Sequence, residues 1–334
     1  MSSENFTISK KALITLIAAS IVVIISLGIR QTFGLFYFDF NTDLDISISH
    51  FGFAMGLQLL LWGVFSPLFG VITDKYGGAV AIFIGFVFYL VGVLFFYSGF
   101  NTGSYFTLTI GVMIGIGLGS TAIGIPVSVV AKHFPASNRT IATGIVTCAG
   151  SFGYFVSPLL VRYSLVETGW ENTLLYFCLL LGIGLVVSLF VSTPKIPVGV
   201  NKDNNQTARE ALKEAFANKS FIYLTLGFFV CGWHIALVAT HIPTYMADKG
   251  LPDWTPAMVL ALIGVFNMAG TITSGYLATR YSKKKILSAI YLLRGVSIIY
   301  FIFLPPSIFN SVVFGVTFGF LWLSTVRSEE HTSE

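Results

Sequence analysis

The sequence GVITDKYGG, residues Gly70–Gly78, interrupts two long apolar runs with an acid, a base and three glycines. A second stretch, GYLATRYSKKK at 275–285, opens with the same glycine and has a base before a tyrosine six residues from that glycine. The two stretches lie 205 residues apart, and this offset aligns Lys75 with Arg280. The offset predicts a chain of two related halves, each carrying such a loop.

The composition of the chain indicates a membrane as its solvent. Of its 334 residues, 55% are hydrophobic and 10% are charged, whereas a soluble domain is typically about 25% charged. Runs of about 20 apolar residues predict membrane-spanning helices. The ten predicted spans are 12–38, 48–72, 79–98, 105–131, 140–162, 171–192, 220–246, 255–278, 286–304 and 308–326.

The distribution of charge predicts an orientation and a domain organisation. Basic residues concentrate on the side of the two loops, and acidic residues concentrate on the other side. Because basic loops stay in the cytoplasm, we expect a multi-pass cell-membrane protein with both termini cytoplasmic. The polar stretch 194–218 is predicted to be a cytoplasmic linker between a six-helix half, 1–193, and a second half, 219–326.

The loop at Gly70–Gly78 matches the G-x-x-x-D-x-x-G signature of the major facilitator superfamily, including a base directly after the acid. The chain resembles this family of secondary transporters over residues 10–326. Three segments are similar to its monocarboxylate-porter and oxalate-formate antiporter branch: RQTFGLFYFDF at 30–40, CAGSFGYFVSPLL at 148–160 and FFVCGWHIALVATHIPTYMADKGL at 228–251. The resemblance implies an all-α membrane fold of two pseudo-symmetric six-helix halves that alternate access to a central site.

The sequence departs from the resembled family at its end. The family normally has twelve spans, and this sequence predicts ten. The last eight residues, RSEEHTSE at 327–334, change abruptly in character. We therefore expect a second half that is incomplete, with four helices, followed by a non-native tail.

The resemblance implies that the loop is a gate on the cytoplasmic face. Glycines let helix ends approach closely because they lack a Cβ, and Asp74 would act as a latch that forms in one state and breaks in the other. The alternative is an anchor that only fixes the loop. In the second loop Thr279 replaces the acid, so a symmetric second latch is not expected. The residues of this predicted gate are Gly70, Asp74, Lys75, Gly77, Gly275 and Arg280.

Two charged residues, Arg30 and Arg294, fall within predicted spans, and such residues mark functional sites. Their positive charge predicts an anionic substrate, because a carboxylate matches the guanidinium fork. Tyr37 lies seven residues after Arg30 on the same helix face. Two structural alternatives stay open: Arg30 could snorkel to the outer surface, and Arg294 could bind a partner within the second half.

Four further polar side chains lie within the predicted spans. His234 and His241 are seven residues apart on one face, and His234 lies close to the position related to Arg30 by the 205-residue offset. The two imidazoles could bind the anion or carry a coupling proton, or they could pack helices. Gln58 and Asn267 are further substrate-binding candidates, with hydrogen bonding between helices as the alternative.

No sequence motif indicates an enzyme. The cysteines Cys148, Cys178 and Cys231 show no metal-ligand spacing, and GIGLG at 115–119 lacks the preceding strand that a dinucleotide loop requires. We expect no cofactor, metal or nucleic-acid partner. The leading prediction is a monomeric secondary active transporter of small organic anions, such as monocarboxylates, embedded in the lipid bilayer. Protons are the candidate coupling ion, and the sequence leaves the identity of that ion open. The alternatives are an exporter of drug-like or amphiphilic compounds and a non-transporting sensor or scaffold.

Overall fold

The computed structural model describes residues 9–99, 102–194, 214 and 216–322. All regular secondary structure in these ranges is helical, which confirms the predicted all-α class. Most of the predicted linker 194–218, and the whole predicted tail 327–334, lie outside the described residues.

The first half begins with four helical segments, each set by an uninterrupted apolar run. Ser9 and Ser47 cap two of them, because their side-chain oxygens accept hydrogen bonds from the first-turn amides of Ala12 and His50. The four are α1 (Lys10–Leu44, with a 3₁₀ turn at Phe33–Phe36), α2 (Ile48–Tyr76), α3 (Gly78–Ser98) and α4 (Gly103–Ala131).

The next helical stretch, Ala136–Ser188, folds back on itself. Gly169 has φ 81° and ψ 171°, a conformation that only glycine adopts readily, and it divides the stretch into α5 (136–168) and α6 (170–188). A ring nitrogen of His133, before α5, lies 2.7 Å from the carbonyl oxygen of Ser192, after α6. Both ends of the stretch therefore lie on the same side, and the chain crosses the molecule twice.

The second half contains α7 (Lys219–Asp248), α8 (Thr255–Leu277), α9 (Lys283–Phe303) and α10 (Ile308–Phe320). When the bent stretch Ala136–Ser188 is counted once, eight helices in the described ranges are long and apolar enough to span a membrane. The prediction of ten separate spans differs from this in two places. The fifth and sixth runs form one continuous stretch that bends at Gly169 and crosses the molecule twice, as α5 and α6, and the tenth gives a helix of only 13 residues.

Polar contacts place several helix ends on one side of the molecule, which we call the loop side. Thr15 near the start of α1 lies 2.9 Å from Ser192, oxygen to oxygen. The amide of Gly78, in the quoted loop, donates to the hydroxyl of Thr193 at 2.7 Å. The other ends of these helices define the opposite side.

The two halves pack closely in the middle of the molecule and toward the opposite side. A Cβ on Gly34 of α1 would lie 2.2 Å from the carbonyl oxygen of Ala239 in α7. A Cβ on Gly264 of α8 would lie 2.4 Å from the backbone nitrogen of Phe155 in α5. These positions require glycine because no side chain fits between the helices, and they hold the seam closed on the opposite side.

Candidate functional site

The guanidinium of Arg30 is the central feature of the site. The residue is only 3% exposed, so the side chain does not snorkel to a surface. Its carbon Cζ lies 6.0 Å from the centroid of the Trp62 ring on α2, at the limit of a cation–π contact. Its Nε and Nη1 atoms have no hydrogen-bond partner in the described part of the chain. Among the described residues no ion pair joins it to a carboxylate, whereas a buried cation is normally stabilised by a counter-charge.

Two buried tyrosines, Tyr89 of α3 and Tyr154 of α5, lie within electrostatic range of Arg30. The Tyr89 hydroxyl donates to the carbonyl oxygen of Ser26, one turn below Arg30, at 3.3 Å. Ser26 in turn hydrogen-bonds Thr121 of α4 at 2.7 Å. Phenols are neutral at pH 7, so they enclose the arginine without neutralising it.

Tyr37 lies seven residues beyond Arg30, in an aromatic cluster at the end of α1 on the opposite side. Its ring packs edge-on against Phe51 of α2, with centroids 5.3 Å apart. The residue is 8% exposed. Tyr37 therefore contributes to the packing that closes this end of the molecule, beyond the 3₁₀ turn that separates it from Arg30.

The two histidines of α7 have separate environments. His234 lies beside Phe318 of α10, with ring centroids 6.5 Å apart, and within electrostatic range of Arg294. His241 lies toward the opposite side, 3.2 Å from the position that a Cβ on Gly52 would occupy. α7 turns Ala239, rather than either imidazole, toward Gly34 of α1. This structure therefore does not place the two imidazoles together beside Arg30.

Arg294 differs from Arg30 in its partners. Its Nη2 atom donates to the carbonyl oxygens of Leu321 and Trp322, at the end of α10, and its Nη1 lies 3.4 Å from the sulfur of Cys231. The last carbonyls of a helix lack partners within that helix. Arg294 supplies partners for these carbonyl oxygens, in line with the alternative that it binds within the second half.

The two buried amides link helices. Gln58 of α2 donates from Nε2 to the carbonyl oxygen of Ile110 at 2.9 Å, within a π-helical segment of α4, Thr107–Met113. Asn267 of α8 donates from Nδ2 to the hydroxyl of Ser151 in α5 at 2.8 Å. The second of these bonds joins the two halves near mid-membrane.

The predicted gating loop is held by its own half in this structure. The Asp74 carboxylate accepts a hydrogen bond from Lys132, at the end of α4, at 2.8 Å. Gly77 has φ 95°, so it turns the chain sharply between α2 and α3. Lys132 was not among the predicted gate residues, although the antiparallel order of the spans places the start of α3 and the end of α4 on one side.

The remaining gate residues lie close to these turns. Lys75 stacks on the Tyr76 ring with Nζ 5.2 Å from its centroid, and Arg280 stacks on Tyr276 with Cζ at 4.8 Å. A Cβ added at Gly70 would meet no atom within 4 Å, and Gly275 lies half-buried in α8. The two loops thus share a base that packs on a tyrosine.

An ion pair joins the halves on the opposite side. Arg162 of α5 donates from Nη2 to the carboxylate of Asp253 at 2.5 Å. Asp253 lies in the turn between α7 and α8. With the Gly34–Ala239 contact, this pair closes the seam there. On the loop side, by contrast, Asp74 bonds within the first half.

The architecture defines a class of protein: a multi-pass helical membrane protein of two halves with a buried cation near their seam. The family is defined by sequence. Residues 15–328 match the model of the Major Facilitator Superfamily, and the chain belongs to this family of transporters, as the loop signature predicts.

Individual relatives are distant. The MFS-type transporter hasB of Aspergillus fumigatus is 22% identical over 89% of this chain and 68% of its own length. Monocarboxylate transporter 6 of Mus musculus is 24% identical over 86% of this chain and 66% of its own. The chain thus spans about two thirds of the length of the curated relatives it matches.

Solved structures share the fold. A bacterial homolog of the human lysosomal transporter Spinster, solved in an inward-facing and unoccupied conformation, superposes with a TM-score of 0.69 at 16% identity. That match covers 97% of this chain and 75% of the other. A D-xylose-proton symporter gives a TM-score of 0.65 at 15% identity, covering 93% and 79% of the two chains.

Proposed function

We propose that the protein is a secondary active transporter of small organic anions, monocarboxylates in particular, and that Arg30 binds the carboxylate. The observation that carries this proposal is the burial of Arg30 with two guanidinium nitrogens unpartnered in the described part of the chain. An anionic substrate supplies the missing charge and an acceptor for these N–H groups, because carboxylate oxygens accept charge-assisted hydrogen bonds from arginine.

Arg294 is outside the proposed anion site. Its Nη nitrogens already contact carbonyl oxygens and a sulfur atom within the second half. Only its Nε is without a partner in the described part of the chain, so Arg294 offers a second carboxylate no open guanidinium fork. This favours a monocarboxylate over a dicarboxylate, and the similarity to a protein named a monocarboxylate transporter agrees with it.

Transport would proceed by alternating access. The Arg162–Asp253 pair and the Gly34–Ala239 contact close the opposite side, so substrate would enter or leave from the loop side in this state. The reverse state would separate these contacts. On our interpretation, Asp74 then exchanges Lys132 for a partner in the second half, which makes the loop a latch.

An exporter of amphiphilic compounds is the alternative function. A cavity of about 150 Å³ lies among α7, α9 and α10, and its lining is apolar apart from His241 and Tyr245. An amphiphile could place its apolar body there. One relative is named an efflux protein, which agrees with this alternative.

Uptake into proteoliposomes distinguishes the two functions. The full chain is reconstituted and supplied with short monocarboxylates, dicarboxylates and hydrophobic cations, each radiolabelled. We expect saturable uptake of monocarboxylates and competition by other monocarboxylates. Transport restricted to hydrophobic cations would contradict the anion proposal and support the exporter.

Asp74→Asn should lower turnover severalfold and leave the folded fraction unchanged. The Asp74 side chain is 73% exposed and that of Lys132 is 28% exposed. Solvent-accessible pairs stabilise a protein by at most about 1 kcal/mol, so an effect on transport would come from the gate. Initial uptake rates at equal amounts of reconstituted protein test this. Asp45→Asn, an exposed acid on the opposite side, is the matched control, and normal turnover in Asp74→Asn would reduce Asp74 to an anchor.

Replacing both His234 and His241 with glutamine should flatten the pH dependence of uptake between about pH 5 and 8, where imidazoles titrate. Uptake is measured across this range with an imposed proton gradient. A pH profile identical to that of the parent protein would show that the imidazoles pack helices and carry no coupling proton.

A further inference from the structure

Gln31, the residue after Arg30, has an unusual environment. It is fully buried, at 0% exposure, and neither its Nε2 nor its Oε1 has a hydrogen-bond partner in the described part of the chain. Folded proteins seldom leave a buried amide without partners, because it loses its bonds to water and gains none. Two consecutive buried polar residues with unpartnered atoms mark this turn of α1 as a place for a ligand.

The position of Gln31 is fixed by two glycines that flank it three residues away on each side. Gly28 faces Ser157 of α5, and Gly34 faces Ala239 of α7. Residues three apart share a helix face, so Gln31 lies between these contacts, at the seam of the two halves. A ligand held there contacts the surfaces that move during alternating access.

We propose that Gln31 is a second binding residue of the Arg30 site and selects a monocarboxylate that carries a neutral hydrogen-bonding group several bonds from its carboxylate. This inference rests on the proposed function of Arg30. An amide both donates and accepts, so it suits a hydroxyl or a carbonyl and adds no charge. Adjacent helix positions point about 100° apart, so the two groups that Arg30 and Gln31 hold lie apart on the ligand.

The contrast with Gln58 supports this assignment. Both glutamines are fully buried on membrane helices of the first half. The Nε2 of Gln58 donates to the carbonyl oxygen of Ile110, and only its Oε1 has no partner in the described residues, so its role in joining α2 to α4 is already visible. Gln31 makes no such bond in the described part of the chain, and the structural role of Gln58 does not extend to it.

The test uses binding of three acids to the purified full chain: pentanoate, 4-oxopentanoate and 2-oxopentanoate. We expect the parent protein to bind 4-oxopentanoate about five- to tenfold more tightly than pentanoate, as one added hydrogen bond predicts. The 2-oxo acid should gain less, because its carbonyl adjoins the carboxylate. Gln31→Leu should abolish the preference while retaining pentanoate binding, whereas Gln58→Leu should keep the preference and lower thermal stability.

The outcomes separate this inference from the proposed function. Suppose that the carboxylates bind and that Arg30→Gln weakens their binding. If the parent then shows no preference for 4-oxopentanoate, or if Gln31→Leu retains this preference, the assignment of Gln31 is wrong and the anion site stands. If none of the three acids binds, both the assignment of Gln31 and the proposed anion site are overturned. Gln31→Leu removes a buried unpartnered amide, so it should fold at least as well as the parent, which a thermal melt checks.

Discussion

Arg30→Gln should lower the affinity for a carboxylate substrate about 10- to 100-fold, since a hydrogen bond to a charged group contributes about 1.5–3 kcal/mol. The affinity of Arg30→Lys should lie between those of Arg30→Gln and the parent, because lysine keeps the charge but lacks the planar guanidinium fork. Affinities are measured by equilibrium binding of a labelled monocarboxylate to the full chain in detergent.

The stability of the same variants separates a binding role from a structural one. Arg30 has two guanidinium nitrogens without partners in the described residues, so its replacement by a neutral side chain should leave the thermal midpoint unchanged or raise it. Arg294→Gln is the matched control. It removes hydrogen bonds to Leu321 and Trp322, so we expect it to lower the midpoint by several degrees and to leave affinity nearly intact.

Two outcomes would contradict the role assigned to Arg30. Equal carboxylate affinity in the parent, Arg30→Lys and Arg30→Gln would remove the residue from the site. A large loss of thermal stability in Arg30→Gln, as in Arg294→Gln, would show that Arg30 supports the fold through contacts other than those seen here.

The helical fold was predictable because membrane helices satisfy their own backbone hydrogen bonds, so that length and apolarity alone indicate a span. At Gly169 the sequence predicted only a gap between two apolar runs, 140–162 and 171–192. The left-handed conformation of Gly169 and the return of α6 to His133 depend on tertiary packing. The second half follows the same rule, except that α10 is shorter than its apolar run.

The site could be predicted in part. Arg30 was identifiable as a charge within an apolar run, since such residues are rare and costly. Sequence alone did not separate it from Arg294, because the carbonyl oxygens that Arg294 binds belong to another helix, 27 and 28 residues along the chain. Gln31 gave no signal of its own, because an amide within a span more often bonds a neighbouring helix, as Gln58 does.

Gly34→Ala should trap the protein away from the state seen here and lower transport at least tenfold. The added Cβ would lie 2.2 Å from the carbonyl oxygen of Ala239 and 3.1 Å from the ring of Pro243. The first distance is far below van der Waals contact, and a backbone oxygen cannot rotate away as a side chain would. The helices α1 and α7 must therefore separate, which opens the seam on the opposite side. The variant then cannot return to the state seen here, so the transport cycle stops.

Labelling of a cysteine placed at Thr240 measures this separation directly. Thr240 is 4% exposed, and its carbonyl oxygen lies 3.2 Å from the added Cβ, so a bulky water-soluble maleimide should label Thr240→Cys poorly in the parent and readily when Gly34→Ala is present. Gly56→Ala on α2 is the matched control, because its Cβ meets no atom within 4 Å and should change neither labelling nor uptake. Equal labelling in all three backgrounds, with normal uptake by Gly34→Ala, would show that the close contact between α1 and α7 has no part in the transport cycle.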